Sequence, residues 1–452
     1  MGDKISRLKA MAGQVRPEFF CLLMLLGIDF IMIALGPFGS YFVDYYTMIP
    51  AMLFLGILLA QKSFPNARWQ LLLGGVFALW FMAVQRVHLS NGMSSDHLGA
   101  VLSVFLLAFP FAAATKDGAK GIGLKMAGIV YLGATLVLAG LTAIMELGLL
   151  PGFLKPYMYW DGTRLHPMWH PNGGACMIMM GMGFSLAFFS LAKKWAVKLL
   201  LAAVVVVQLL LIVLTNSRTT LGMALLMVVG YVFFWILHKG GWKRFAIAAA
   251  VMIVLGSVLL VGVISVKQAS DQQKLEAYLA SADYDPSQVI VNPETGEMKL
   301  RVRSGQGSFL QDLKTFNGRT NMWQAVVQAF RDIPEIRLWG VDNVQTLNGR
   351  QSFEFQFPHV HNAWVETWVR LGIPGLIFAL VFTILAVWRM IMVLFNPAVD
   401  MYRKSIALLA VCIMGAAMLE PYLFYMDRDC HPVNMVFFLC LGYMDQWCKK
   451  TA

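Results

Sequence analysis

Apolar runs of about twenty residues recur along this sequence, and a run of that length crosses roughly 30 Å of hydrocarbon as a helix. The candidate spans are 18–36, 47–61, 70–85, 98–115, 126–150, 173–192, 198–215, 219–238, 245–266, 364–388, 405–421 and 432–447. Hydrophobic residues make up 58% of the 452-residue chain, more than a soluble core of that size would bury. Charged residues make up 13%, where a soluble chain would carry about one quarter. The mean hydropathy is +0.65. The expectation is an all-α polytopic integral membrane protein of about 12 transmembrane helices.

The formal charge is +11, but its distribution argues against a nucleic-acid partner. Lys and Arg sit in small groups between apolar runs and line no amphipathic face, which is how topology signals are arranged. With the N-terminus inside, the inner connections hold Lys62 and Arg68; Lys116, Lys120 and Lys125; and Lys193, Lys194 and Lys198. They go on to hold Lys239, Lys243 and Arg244; Arg389, Arg403 and Lys404; and Lys449 and Lys450. Every second connection is basic, so both termini are expected in the cytoplasm. Lys4, Arg7, Lys9 and Arg16 precede an apolar run without a small-residue cleavage site, which reads as a first span and not a removable signal. Six scattered cysteines form no CxxC pair, and buried free thiols are expected.

Residues 267–363 differ in kind from the rest. They are polar, contain turn signals such as Asp285-Pro286 and Asn348-Gly349, and would form one large extracytoplasmic loop between spans in 1–266 and spans in 364–452. Within the loop, Met322, Trp323, Val326, Val327 and Phe330 recur at helical spacing over Thr320 to Phe330, with Pro334 just beyond.

Ionisable residues in or beside spans are the best pointers to function, because charge is expensive in hydrocarbon. Arg218 lies in the polar break Thr215-Asn216-Ser217-Arg218-Thr219-Thr220. It would hold an anionic phosphate, or serve as an interfacial anchor. His359 and His361 stand at i and i+2 where the loop enters a span. On a helix they would point to different faces, and no third ligand lies nearby, so no metal site is expected. A single general-base histidine fits better, against the alternative of a hydrogen-bonded interfacial one. Glu366 and Arg370, at i and i+4, read as a mutual ion pair. Arg319 stands near the start of the loop helix, where unpaired N–H groups also favour anions, or is an ordinary surface arginine. The stretch His166 to Asn172, with His170, would line a sugar site or simply cap the following span. Asp283-Tyr284-Asp285 and Asp427-Arg428-Asp429 are weak cation signals. Glu420 and Asp29 would face the bundle interior, lining a site or holding a partner.

Together these residues resemble the O-antigen ligase/polymerase family. His361-Asn362, nine residues, then Gly372-Ile373-Pro374-Gly375 is similar to the ligase pattern His-Asn, nine residues, Gly-x-x-Gly. Ser217-Arg218 resembles the family's arginine between adjacent spans, with the following leucine one position early. Asn317-Gly318-Arg319 with Trp323, then Leu338-Trp339-Gly340-Val341, resembles the Gly-Arg-x-x-x-Trp and Gly-Val-Gly stretches, with Asp342 in place of the last glycine. The resemblance covers roughly residues 165–430.

It implies a glycosyltransferase of the bacterial inner membrane with its active site on the outer face. The glycan donor would be linked to undecaprenyl pyrophosphate, which brings its own leaving group. That suits a chain without a phosphate-cradling GxxxxGK[ST] loop. The acceptor would be a hydroxyl of lipid A–core or another cell-surface lipid or glycan, with membrane lipids as surroundings and no cofactor. His361 would be the base, and Arg218 and Arg319 would hold pyrophosphate in a metal-independent inverting transfer. Asn362, His359, Trp323, His170 and Asn172 would contact substrate. A polymerase with the same chemistry is the alternative. A lipid-linked glycan transporter is the second, disfavoured because the charges gather at one face beside a large loop and no internal repeat occurs.

Overall fold

The computed structural model describes residues 52–53, 55–56, 64–89, 101–102, 104–115, 121–156, 158–161, 164–167, 171–238, 242–280, 289–291, 298–300, 319–342, 344–348, 359–424 and 431–451. The first two candidate spans lie wholly or mostly outside them. So do His170, Asp29, both Asp-x-Asp pairs, Cys21, Cys430 and Asn317-Gly318.

In chain order the helices are α1 (Arg68–Leu89), α2 (Phe109–Ala114, entered through a π-turn at Val104–Ala108), α3 (Ile122–Glu146) and, after a small hairpin of β1 (Tyr159–Asp161) and β2 (Arg164–His166), α4 (Pro171–Leu191). Then come α5 (Trp195–Leu214), α6 (Arg218–Leu237) and α7 (Trp242–Leu279), followed by β3 (Val289–Val291) and β4 (Met298–Leu300). The chain continues through α8 (Arg319–Asp332), α9 (Ile336–Trp339), α10 (Ala363–Phe395), α11 (Met401–Ala417) and α12 (His431–Thr451).

Among the described residues seven helices (α1, α3 to α7 and α10) are long and apolar enough to cross a membrane. The shorter stretch Val104–Ala114 and helices α11 and α12 occupy three further candidate spans. The fold is that of a helical membrane protein. It is not purely α, because β1 pairs antiparallel with β2 (Trp160 opposite Leu165) and β3 with β4 (Ile290 opposite Lys299). Both ribbons fall in polar stretches between apolar runs, where the backbone must find hydrogen bonds outside a helix.

The polar segment expected from 267 does not begin with a loop, because α7 runs on to Leu279. Its 38 residues make a rod of about 57 Å. A change to polar composition is no helix stop: no Gly or Pro intervenes, and i,i+4 pairs Lys267–Asp271 and Gln272–Glu276 support the extension.

By internal packing the chain forms two units, one of Met1–Val130 with Gly318–Ala452 and one of Tyr131–Asn317. The first is centred on a phenylalanine cluster. Phe105, Phe109 and Phe438 meet Phe382 at ring-centroid distances of 5.2, 5.6 and 5.2 Å, mostly edge-on. Small residues let the backbones approach: a Cβ on Gly74 would stand 2.7 Å from the Phe105 carbonyl oxygen, and one on Gly442 2.4 Å from that of Phe109. Toward the C-terminal end of α12 the fully buried Asp445 carboxylate takes Arg389 at 2.7 Å, Lys449 at 2.9 Å and Gln70 at 3.1 Å, so a charge that would be costly alone is paired.

In the second unit α4 packs along α5 and α6 along α7. Buried Gln208 donates to Thr135 Oγ1 at 2.9 Å and accepts from Ser185 at 3.1 Å, a polar tie between apolar helices. Of the six cysteines, Cys176, Cys412, Cys440 and Cys448 are described, and all four are buried free thiols as expected.

Candidate functional site

The site is built where α10 begins. Asn362 caps that helix: its Oδ1 accepts from the backbone N–H groups of Trp364 and Val365, both at 3.0 Å. Its Nδ2 donates to the Met418 carbonyl at 3.0 Å, tying the helix start to the segment after α11. The residue ahead of His361 is held on both sides. The Val360 N–H donates to Glu366 Oε2 at 2.8 Å, and its carbonyl accepts from Trp323 Nε1 at 2.8 Å.

Between these two pinned neighbours His361 takes φ = 51°. A non-glycine residue in that left-handed region carries about 1–3 kcal/mol of strain and persists only where its surroundings impose it. The conformation delivers the imidazole to Glu420, with Nδ1 3.1 Å from Oε2. The other oxygen, Oε1, accepts from Arg319 Nη2 at 3.0 Å. The Glu420 side chain is only 4% exposed, against 15% for Arg319 and 18% for His361. A carboxylate is an acceptor only, so in this contact Nδ1 carries the hydrogen.

Arg319 is the first residue of α8, in a polar strip ahead of the buried Val326, Ala329 and Phe330. That apolar face packs with Ile333, Ile336, Val344, Leu347, Val360 and Val369, which fixes α8 against the start of α10. The predicted helix Thr320 to Phe330 is therefore present, slightly longer at both ends. His359 and His361 are not on a helix but in the bend before it, with rings 4.3 Å apart and 70° inclined. No group of three His, Cys, Asp or Glu side chains suited to a metal occurs among the described residues.

The glycines of the two motifs serve close backbone approach. Gly372 (φ 67°) kinks α10, and a Cβ there would lie 2.1 Å from the Leu338 carbonyl oxygen. Gly340 (φ 69°) answers it, 2.4 Å by the same measure from that of Val369. Carbonyls released by the kink find new donors: Val341 N–H reaches Val369 at 2.7 Å, and Trp80 Nε1 reaches Leu371 at 2.9 Å. Trp80 also stacks on Trp339 at 5.1 Å, and His88 donates to the Trp339 carbonyl at 3.2 Å. The Glu366–Arg370 pair forms at 2.7 Å. Asp342, standing where the family pattern has glycine, lies 3.8 Å from Arg370 and extends that pair.

Arg218 belongs to the second unit and is the first residue of α6. The break before it turns on Asn216 at φ = 53° and on hydroxyls: Thr215 Oγ1 donates to the Ile212 carbonyl at 2.7 Å, and Ser217 Oγ to Thr220 Oγ1 at 3.1 Å. Arg164, a residue the sequence did not single out, donates to the Thr215 carbonyl at 2.8 Å and to Asn172 Oδ1 at 2.7 Å. Arg164 of β2 thus links Asn172 of α4 to the break. Within the first unit, the structure brings together His359, His361, Asn362, Arg319 and Trp323, and adds Glu420. The side chain of Trp323 has its N–H on Val360, while its neighbours Thr320, Gln324, Val327 and Gln328 share with it a shallow groove of about 450 Å³.

No curated protein matches the chain. A family model described as O-antigen ligase matches residues 203–380, from within α5 to within α10, a stretch that contains Arg218, Arg319 and His361. Over that segment the chain is similar to the O-antigen ligase family.

Proposed function

We propose that this protein transfers a glycan from undecaprenyl pyrophosphate to a hydroxyl of lipid A–core or another cell-surface acceptor, at the outer face of the bacterial inner membrane. The arrangement that carries the reading is a strained histidine whose Nδ1–H is committed to a carboxylate. This leaves Nε2 as the basic nitrogen, as a general base requires.

The step balances without a cofactor. Nε2 of His361 takes the proton of the acceptor hydroxyl while that oxygen bonds to the anomeric carbon. The bond from that carbon to the pyrophosphate oxygen breaks, and its electron pair leaves with undecaprenyl pyrophosphate. Attack opposite the departing group inverts the anomeric centre. Charge growing on the leaving group needs cations. Arg319 is assigned that role from its place beside His361, and Arg218 from its place in the family motif and at the start of α6. His359, Asn362, Trp323, His170 and Asn172 remain assigned to substrate contact or to the support of those residues that make it.

The test uses the purified chain in liposomes. Donor is undecaprenyl pyrophosphate-linked glycan extracted from cells lacking the gene, and acceptor is envelope lipid of the same cells, without nucleotide. Transfer by the natural chain and its loss in His361→Ala are expected. Near-normal transfer by folded His361→Ala would remove the histidine from the chemistry. The same cells identify the acceptor: long lipid-linked polymer accumulates if the protein is a ligase, and single repeats reach the final acceptor if it is a polymerase.

A further inference from the structure

Glu420 belongs to no motif of the chain and lies beyond the segment matched to the family, residues 203–380. It is nevertheless the group on which the site converges. We propose that Glu420 is the positioning residue of the reaction, one carboxylate that fixes both the tautomer of the base and the place of a substrate-binding guanidinium. The inference rests on the function proposed above and deepens it.

Glu420 sits in the turn after α11, where the Tyr422 N–H donates to its carbonyl at 2.9 Å and Pro421 restricts the chain. A little further on the Phe424 N–H is taken by the buried Asn434 of α12 at 3.2 Å. The Asn362–Met418 bond fixes this turn against the start of α10, directly after His361. The carboxylate is therefore placed by its own backbone and not only by its partners. The two oxygens face different partners: Oε2 faces Nδ1 of His361, and Oε1 accepts from Nη2 of Arg319. A residue serving only as an ion-pair fastener would not need both oxygens placed so. A base-orienting residue must be an acceptor at Nδ1, because a donor there would move the ring hydrogen to Nε2 and occupy the lone pair that takes the substrate proton.

Glu420→Gln is the variant that separates the two roles of the carboxylate. It is close to isosteric, so the fold survives. Its NH2 group cannot face the Arg319 guanidinium, since both are donors, so its carbonyl oxygen turns to Arg319 and its NH2 to His361. The imidazole then keeps a hydrogen bond but in the wrong tautomer. An uncharged hydrogen-bonding substitute that only held the elements together would leave turnover intact.

Two measurements test this in the full-length chain. With the liposome assay and cell-extracted donor, Glu420→Gln is expected to lower kcat by about 10²-fold or more, with donor KM within about threefold. Glu420→Asp, which restores an acceptor-only group, is expected to recover at least about tenfold of that loss. Independently of activity, nitrogen-15 histidine spectra are taken near pH 8.5, about two units above the usual histidine value. The His361 signals, identified by their loss in His361→Ala, should show hydrogen on Nδ1 in the natural chain and on Nε2 in Glu420→Gln. A natural chain with the hydrogen on Nε2, or a Gln variant with unchanged tautomer, overturns the assignment. So does a Gln variant of undiminished kcat. A natural chain that shows the expected tautomers yet transfers no glycan would instead count against the proposed reaction and leave the positioning role standing.

Discussion

Two helix starts in this molecule are built alike and used differently. Both α6 and α10 follow a polar break, and both breaks turn on a non-glycine residue of positive φ, Asn216 at 53° and His361 at 51°. At α6 that residue is asparagine, whose short polar side chain can hydrogen-bond locally in this conformation. Its neighbours there are hydroxyls closing on nearby carbonyls and on one another. At α10 the same backbone state falls on histidine and is imposed from both sides, by Trp323 and Glu366 on Val360 and by the Asn362 cap. The first break is held by its own hydroxyls and by one distant donor, Arg164, on the Thr215 carbonyl. The second draws on Trp323, Glu366 and Glu420 to hold one ring against one carboxylate, and the proposed base role rests on that arrangement.

Four substitutions test how differently the two helix starts are held. The largest effect is expected for His361→Ala, a fall in transfer of about 10²–10⁴-fold with the protein still folded by size-exclusion chromatography. Next is Gly372→Ala, whose Cβ would meet the Leu338 carbonyl oxygen at 2.1 Å in a left-handed conformation. Strain and overpacking together should cost about 3–5 kcal/mol, read as a large drop in Tm of the detergent-solubilised chain. Asn362→Ala removes the cap and the Met418 contact and should cost about 1–2 kcal/mol, with transfer falling as His361 loses its neighbour's hold. The smallest is Asn216→Gly, where a residue that tolerates the conformation is replaced by one that favours it; Tm should change by the equivalent of less than about 0.5 kcal/mol. An Asn216→Gly loss as large as that of Asn362→Ala would show that the two breaks are under equal constraint.

Much of this was legible in the sequence. Helices α1, α4, α5 and α6 begin within a few residues of where the apolar runs predict them, and the i,i+4 pair Glu366–Arg370 forms as its spacing requires. The end of α7 was not legible, since polarity replaces apolar composition at Lys267 while the helix simply continues. Glu420 was visible as a charge beside an apolar run, but not its partners: it is 59 residues from His361 and 101 from Arg319, and nothing in the spacing links them. Gly340 and Gly372 were visible as motif letters, while their reason lies in two backbones packed against one another. Arg164 carries no motif, and only the folded hairpin brings it to Thr215 and Asn172. Contacts local in sequence could be foreseen, and those that cross between elements could not.

In the proposed reaction the strained histidine at the head of α10 is the base of a glycan transfer that needs no nucleotide. The most direct measurement is transfer by the purified natural chain in liposomes beside His361→Ala, with cell-extracted lipid-linked glycan as donor and envelope lipid as acceptor. Product from the natural chain and a loss of at least about 10²-fold in the variant are expected. Comparable product from both would contradict it.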